Sequence, residues 1–449
     1  MMNASDRKSL RETIGLAWPS VLENVFAVLV VMVDTFMVAS LGHAAVAATG
    51  LTAQPKFFLM APLFALNAAS GAIIARKRGE EDKIGSNMIS KLILLIAAAY
   101  SITIGIICVC LSKQIVILCG GNPETTEMAS VYFAISMGGL IFTALTMICS
   151  AIQRAMKNTK ISMYAHIASM VVNVFLNYVL IYGHFGFPKL GVGGAAIATV
   201  SGTFVSLIIV GLSLTKNSLF INLPYIICSK HHIAKEYIKS VVRLSSNFLS
   251  EDFIKRISFL LIGIIAAKTG TEQFAAHQVG MALLNLAFAF GMGMQTASVI
   301  LAGNALGKKD TALARKYTYN CIGCGIILGV TVGLCTFTFG KDFFAIYFTN
   351  NSFLAIGEII STFAAIIIPI QICQVIYSGS LRASGDVKYT LIASTCTIGL
   401  FNLVVDFTLV VIFGFGIEGV WIGTLAGQSS LALAHFLRFR SGKWTNKKL

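Results

Sequence analysis

Much of the first half of this chain recurs about 228 residues later, and the recurring unit is almost wholly apolar. Glu23 returns as Glu251, Gly42 as Gly270, Ala47-Ala48 as Ala275-Ala276 and Ser70 as Ser298. Gly79, Asp82, Arg154-Ala155 and Lys160 return as Gly307, Asp310, Arg382-Ala383 and Lys388. A slightly shorter shift of about 225 carries Gly191, Gly194, Thr199 and Gly202 onto Gly416, Gly419, Thr424 and Gly427. Chance identities do not hold one register across so many segments. A duplicated apolar unit constrains the chain to two similar lobes, the plan by which many secondary transporters surround a central pathway.

The 449 residues are 56% hydrophobic and 12% charged, with a mean hydropathy of +0.81. That leaves too little polar surface for a soluble protein of this size. Apolar runs of roughly 20 residues, each able to cross a ~30 Å hydrocarbon layer, fall at about 13–40, 51–75, 87–111, 127–153, 161–183 and 190–214. Six more fall at about 237–266, 274–303, 312–338, 353–381, 388–413 and 417–438. Met1 to Arg11 is polar and the first run is too long for the core of a signal peptide, so it reads as a retained first span.

A net charge of +15 raises the question of nucleic acid, but the positions of the charges answer against it. Basic residues gather on alternate loops: Arg7, Lys8 and Arg11; Arg76, Lys77, Arg78 and Lys83; Arg154, Lys157 and Lys160. Lys216, Lys230, Lys235 and Lys239, then Lys308 and Lys309, then Arg438 to Lys448 continue on the same side. The opposite loops offer little beyond Lys113, Lys189, Lys268 and Lys341. The positive-inside rule puts both termini in the cytoplasm of a multi-pass protein of the cell membrane, with anionic lipid as a secondary partner. Most of the ten cysteines lie within apolar spans, and Cys321-x-x-Cys324 has no second pair, so they read as small buried hydrophobes.

The organisation expected is all-α: twelve transmembrane helices in two six-helix bundles, residues 1–214 and 236–449, joined by a cytoplasmic linker at 215–235. The linker holds Asn217, Pro224 and His231-His232. Six spans per lobe give both halves the same orientation, related by a pseudo-two-fold axis along the membrane normal.

Charged groups in hydrocarbon cost at least ~2.5–3.5 kcal/mol at the centre, so each needs a reason. Span 1 holds Glu23 and Asp34. Span 5 adds Asn173 and Asn177, one turn apart, and span 6 adds Thr199. If span 1 packs beside spans 5 and 6, one carboxylate, two amides and a hydroxyl converge, a hard oxygen set suited to sodium or to a proton on Asp34. The bland alternative is that these groups only tie helices together. In the second lobe Ile262 stands where Asp34 would, while Asn402, Asp406 and Thr424 resemble Asn173, Asn177 and Thr199. Span 7 carries Glu251, Asp252, Lys255 and Arg256, two i,i+4 opposite-charge pairs expected to line a cleft between lobes. Lys56 on span 2 is a candidate counter-charge to Asp34. His166, His277 and His435 are scattered singly and make no catalytic or metal constellation, so no enzyme and no resident cofactor is expected.

The string Val33-Asp34-Thr35-Phe36-Met37-Val38, followed by Leu41-Gly42 and Ala44 to Gly50, resembles the opening of multidrug and toxic compound extrusion (MATE) transporters. Gln153 to Lys160 and Leu381 to Asp386 look like that family's paired loops after spans 4 and 10. The resemblance covers nearly the whole chain. It implies a monomeric antiporter of bacterial NorM/DinF-like type, exporting drugs or organic cations against a sodium or proton gradient by alternating access. It maps a first-lobe cation site onto Asp34, Asn173, Asn177 and Thr199, although some bacterial members have an acid at the position of Asn177. Glu251 matches the functional acid on span 7 of NorM-type members, and Gln371 stands where those members have an acid on span 10. Lys255 and Arg256 depart from the family pattern. The alternative is a flippase for lipid-linked oligosaccharide from the same exporter superfamily, which needs a more cationic cleft; Lys56, Lys255 and Arg256 are in its favour.

Overall fold

The computed structural model describes residues 4–216, 219–229, 233–346, 351–445 and 447, so Asn217, Lys230, His231-His232 and Lys448 lie outside the described residues. Within them the chain is helical, without strands. The first six long helices are α1 (Ala4–Ala39), α2 (His43–Gly79), α3 (Lys83–Cys110), α4 (Pro123–Gly138 and Leu140–Ala155), α5 (Thr159–Tyr182) and α6 (Gly191–Ser213). The second six are α7 (Lys235–Ala267), α8 (Thr271–Gly307), α9 (Thr311–Ala345), α10 (Asn351–Ala383), α11 (Val387–Ile412) and α12 (Gly416–Arg440). Among the described residues nine of them are long and apolar enough to cross a bilayer, or ten with the two parts of α4 taken together. Charged residues along α7 lower its hydropathy.

Two spans are less regular than the sequence suggests. α4 bends by 43° at Gly139, where a Cβ would strike the Val200 side chain on α6, so the glycine both permits the bend and lets α6 approach. In α11 two π-helical segments, Thr395–Phe401 and Phe407–Ile412, flank the single α-turn Asn402–Asp406. Phe413 N–H, for example, reaches five residues back to the Thr408 carbonyl at 3.0 Å.

The duplication is visible in the backbone. Glu81 (φ 59°) and Lys309 (φ 62°) occupy the same repeat position after α2 and α8, as do Lys157 (φ 65°) and Gly385 (φ 88°) after α4 and α10. Each closes its helix with the paired bonds of a left-handed cap: Asp82 N–H to Lys77 O and Asp310 N–H to Ala305 O, then Asn158 N–H to Gln153 O and Asp386 N–H to Leu381 O. Asp82 and Asp310 then cap the next helix, accepting from Gly85 and Leu313 N–H at 2.8 Å.

Packing divides the chain into two compact units, Val25–Ser245 and Met1–Asn24 with Ser246–Leu449. The division falls inside α1 and inside α7 rather than at the 215–235 linker. At 36 and 33 residues these helices are roughly 50 Å long, enough for their two ends to have different neighbours. Within the second unit Leu16 and Ala17 join the main apolar core, Lys316 pairs with Asp6 at 2.6 Å and Tyr317 donates to Glu12 at 2.5 Å.

Candidate functional site

In the unit 25–245, three helices offer the same four-residue step. Val38, Ile181 and Ala195 make a small apolar cluster with Val192. One turn along each helix stand Asp34, Asn177 and Thr199, so the packing that joins the apolar set also brings the polar set together. Asn177 Nδ2 donates to Asp34 Oδ1 at 2.5 Å, and the single proton of Thr199 Oγ1 is shared between Asp34 Oδ2 at 3.3 Å and the Ala195 carbonyl of its own helix at 3.0 Å. Asn173 completes the ring, accepting from Asn177 Nδ2 at 3.3 Å and donating to Thr199 Oγ1 at 3.2 Å. Tyr182 pins α1 a turn further on, donating to the Met37 carbonyl and accepting from Ser40. All four residues proposed from the sequence therefore meet.

The ring leaves one acceptor over. Asn177 is fully buried, and its Oδ1 has no hydrogen-bond partner. A carboxylate, two amides and a hydroxyl with one spare buried oxygen make an oxygen-rich nest of single negative charge, chemically fitted to a proton or a small monovalent cation. Lys56, the expected counter-charge to Asp34, has its Nζ 4.8 Å from the centre of the Tyr132 ring. It acts on Asp34 through space, without a contact ion pair among the described residues.

Glu251 is turned inward in its own unit. Only 1% exposed, it is wrapped within its own unit by Lys255 and Arg382, each at 2.8 Å, with Thr390 and Ser394 donating at 3.1 Å. The Arg382 guanidinium lies over the Phe248 ring, 5.0 Å from its centre. Asp252 and Arg256 form the second expected i,i+4 pair at 2.7 Å, and both remain substantially exposed. Gln371 is buried with its Oε1 unpartnered, and it makes no bond to Glu251 among the described residues. Three partners of Glu251, namely Arg382, Thr390 and Ser394, were not foreseen from the sequence. Arg382 was visible only as a repeat landmark, and the Thr390/Ser394 step on α11 was the signal for a polar stripe.

Asn402 and Asp406 lie one turn apart, as read from sequence, and are almost fully buried. Asn402 Nδ2 donates to Asp406 Oδ2 over a long 3.4 Å, while Asp406 Oδ1 and Asn402 Oδ1 have no partner. Thr424 does not join them; its hydroxyl donates to its own helix at Val420 O, 2.9 Å.

A duplicated, all-helical membrane protein with a half-buried acid held by an amide and a hydroxyl in one unit fits the class of two-bundle transporters. The MatE family profile matches residues 19–179 and 251–408, and the chain belongs to that family, the MATE transporters. A Thermotoga maritima protein described as a probable multidrug resistance protein NorM is 26% identical over 97% of this chain and 93% of its own length. The uncharacterized transporter YisQ of Bacillus subtilis is 24% identical over 96% and 94%. Among solved structures, a multidrug resistance MATE family transporter of the MOP superfamily in an outward-facing conformation superposes with a TM-score of 0.89 at 19% identity, covering 98% of both chains. A MOP superfamily transporter from Pyrococcus furiosus gives 0.88 at 20% identity over 98% and 97%. Such proteins carry twelve transmembrane helices in two bundles, as here.

Proposed function

We propose that this chain is a cation-coupled exporter of amphipathic or cationic small molecules, working by alternating access of its two bundles, with both termini in the cytoplasm. The observation that carries the reading is the Asp34 ring with the spare oxygen of Asn177. An Asn177 amide donating to Asp34 supplies some of the positive charge that an incoming sodium ion or proton would replace. When the cation enters, the amide is released to present its oxygen, and α1, α5 and α6 repack around a neutralised site. One charge crossing 100 mV releases ~2.3 kcal/mol, enough to bias the cycle toward drug release outside. NorM-type names among the relatives favour a drug exporter over a lipid-linked oligosaccharide flippase.

Dye efflux from proteoliposomes, with sodium and pH gradients imposed separately, tests this. Asp34→Asn is expected to abolish gradient-driven efflux while the protein still inserts and folds. Undiminished efflux by that variant would rule the coupling scheme out.

A further inference from the structure

We propose that Asp406 is a second ion-carrying residue, whose carboxyl holds a proton in the state described here and releases it during transport. It rests on the exporter reading above, but the argument begins from burial. Asp406 is 0% and Asn402 1% exposed, and each has an oxygen without a partner. An ionised carboxylate so placed would need a counter-charge.

None is available. The elements packed on α11 are α10, α12 and, through Gly399 against Ile254 and Ser258, the second half of α7. On α7, Lys255 pairs with Glu251 and Arg256 with Asp252. Arg382 on α10 pairs with Glu251, and Arg438 on α12 with Asp386. His435 on α12 faces Gln374, whereas Glu358, Glu418, Lys388 and Arg440 are exposed. Among the described residues the one side-chain bond to Asp406 comes from the neutral amide of Asn402.

A single proton resolves both orphans. Once protonated, Asp406 has an O–H to donate and Asn402 Oδ1 is an acceptor that lacks a donor. The room for this pair is built in: a Cβ at Gly423 would collide with the Asp406 carboxylate, and one at Gly427 would come within 2.8 Å of the Asn402 side chain. The π-helical segments on either side let α11 flex at this turn without losing its other backbone bonds. On release the carboxyl O–H bond breaks, the electron pair stays on oxygen, and the proton passes to a water admitted by that flexing.

The test pairs a spectroscopic measurement with transport. Infrared difference spectra of the purified full chain at neutral pH should contain a protonated-carboxyl C=O stretch that persists in Asp34→Asn and vanishes in Asp406→Asn. A spectrum without that band in the unmodified protein would overturn the proposal, as would a band that survives when Asp406→Asn is added to Asp34→Asn. Discharge of the band by sodium at constant pH would also overturn it, in favour of an alkali-ion site. In proteoliposomes, proton movement per dye exported should fall at least twofold in Asp406→Asn, and an unchanged ratio would overturn a carrier role. If the unmodified protein exports no dye, the exporter reading fails and takes the carrier role with it, while the infrared band still decides whether Asp406 holds a proton.

Discussion

Asp34 in the first repeat and Asp406 in the second stand in related polar clusters, yet their carboxylates are treated in opposite ways. Around Asp34 two neutral donors, Asn177 and Thr199, share the charge over two oxygens. Around Asp406 only one long bond forms, from Asn402, and the other oxygen has none. A shift of about 229 carries Asn173 onto Asn402 and Asn177 onto Asp406, so the acid has moved from the first helix of a bundle to the fifth. The neighbouring helix has adjusted: Ala198 packs in the first cluster where Gly423 makes space in the second. Duplication supplied one polar frame, and placing the charge on a different helix gave each copy a different capacity.

The largest break in this contrast should come from the amides. Asn177→Leu leaves Asp34 without its shortest bond, and because hydrogen bonds to charged groups are worth up to ~3 kcal/mol, a loss near that size is expected. Asn402→Leu removes one long bond to an acid that is neutral in our reading, and should cost well under half as much. Thermal unfolding of the two variants in one detergent compares them; equal losses would mean that Asp406 is charged after all.

Next in size is the glycine. Gly423→Ala drives a methyl into the Asp406 carboxylate, and overpacking of this kind costs about 2 kcal/mol. The mirror change Ala198→Gly should cost ~1 kcal/mol, the helix-propensity difference, because nothing is displaced. Adding Asp406→Ala to Gly423→Ala should recover stability, as expected for side chains in direct contact. Failure to recover would show that the glycine serves the backbone rather than the acid.

The first cluster was readable before the fold because its residues obey helical spacing: Asn173 and Asn177 share a face, and Asp34 needed a reason to lie in hydrocarbon. The duplicated register gave the lobes and, through Asn402 and Asp406, the outline of the second cluster. Other features depend on contacts that spacing alone cannot supply. The inward turn of Glu251 requires Arg382, which lies 131 residues away and belongs to the end of another helix. The charge of Lys56 was legible as a counter-charge to Asp34, but its seat over the Tyr132 ring was not. The allegiance of the first 24 residues was illegible for a similar reason, since an apolar helix face such as Leu16 and Ala17 does not name its partner. The π-helical segments of α11 have no composition signal comparable to proline.

The smallest expected effect is also the cleanest discriminator, because the two threonines occupy the same repeat position and differ only in what they touch. Thr199 accepts from Asn173 and shares its one proton between Asp34 and its own Ala195 carbonyl, so Thr199→Val takes the acceptor from Asn173 as well as a donor from Asp34 and should cost ~1 kcal/mol. Thr424 bonds only its own helix, and Thr424→Val exchanges that bond for a methyl of the same shape, with a change within ~0.5 kcal/mol. Coupling should separate the pair more widely than stability does. Dye efflux by Thr199→Val should need a steeper cation gradient to reach half its maximal rate, whereas Thr424→Val should follow the unmodified protein. Identical shifts in the two would mean that the hydroxyls act through helix packing alone, and that the ring around Asp34 ends at its amides.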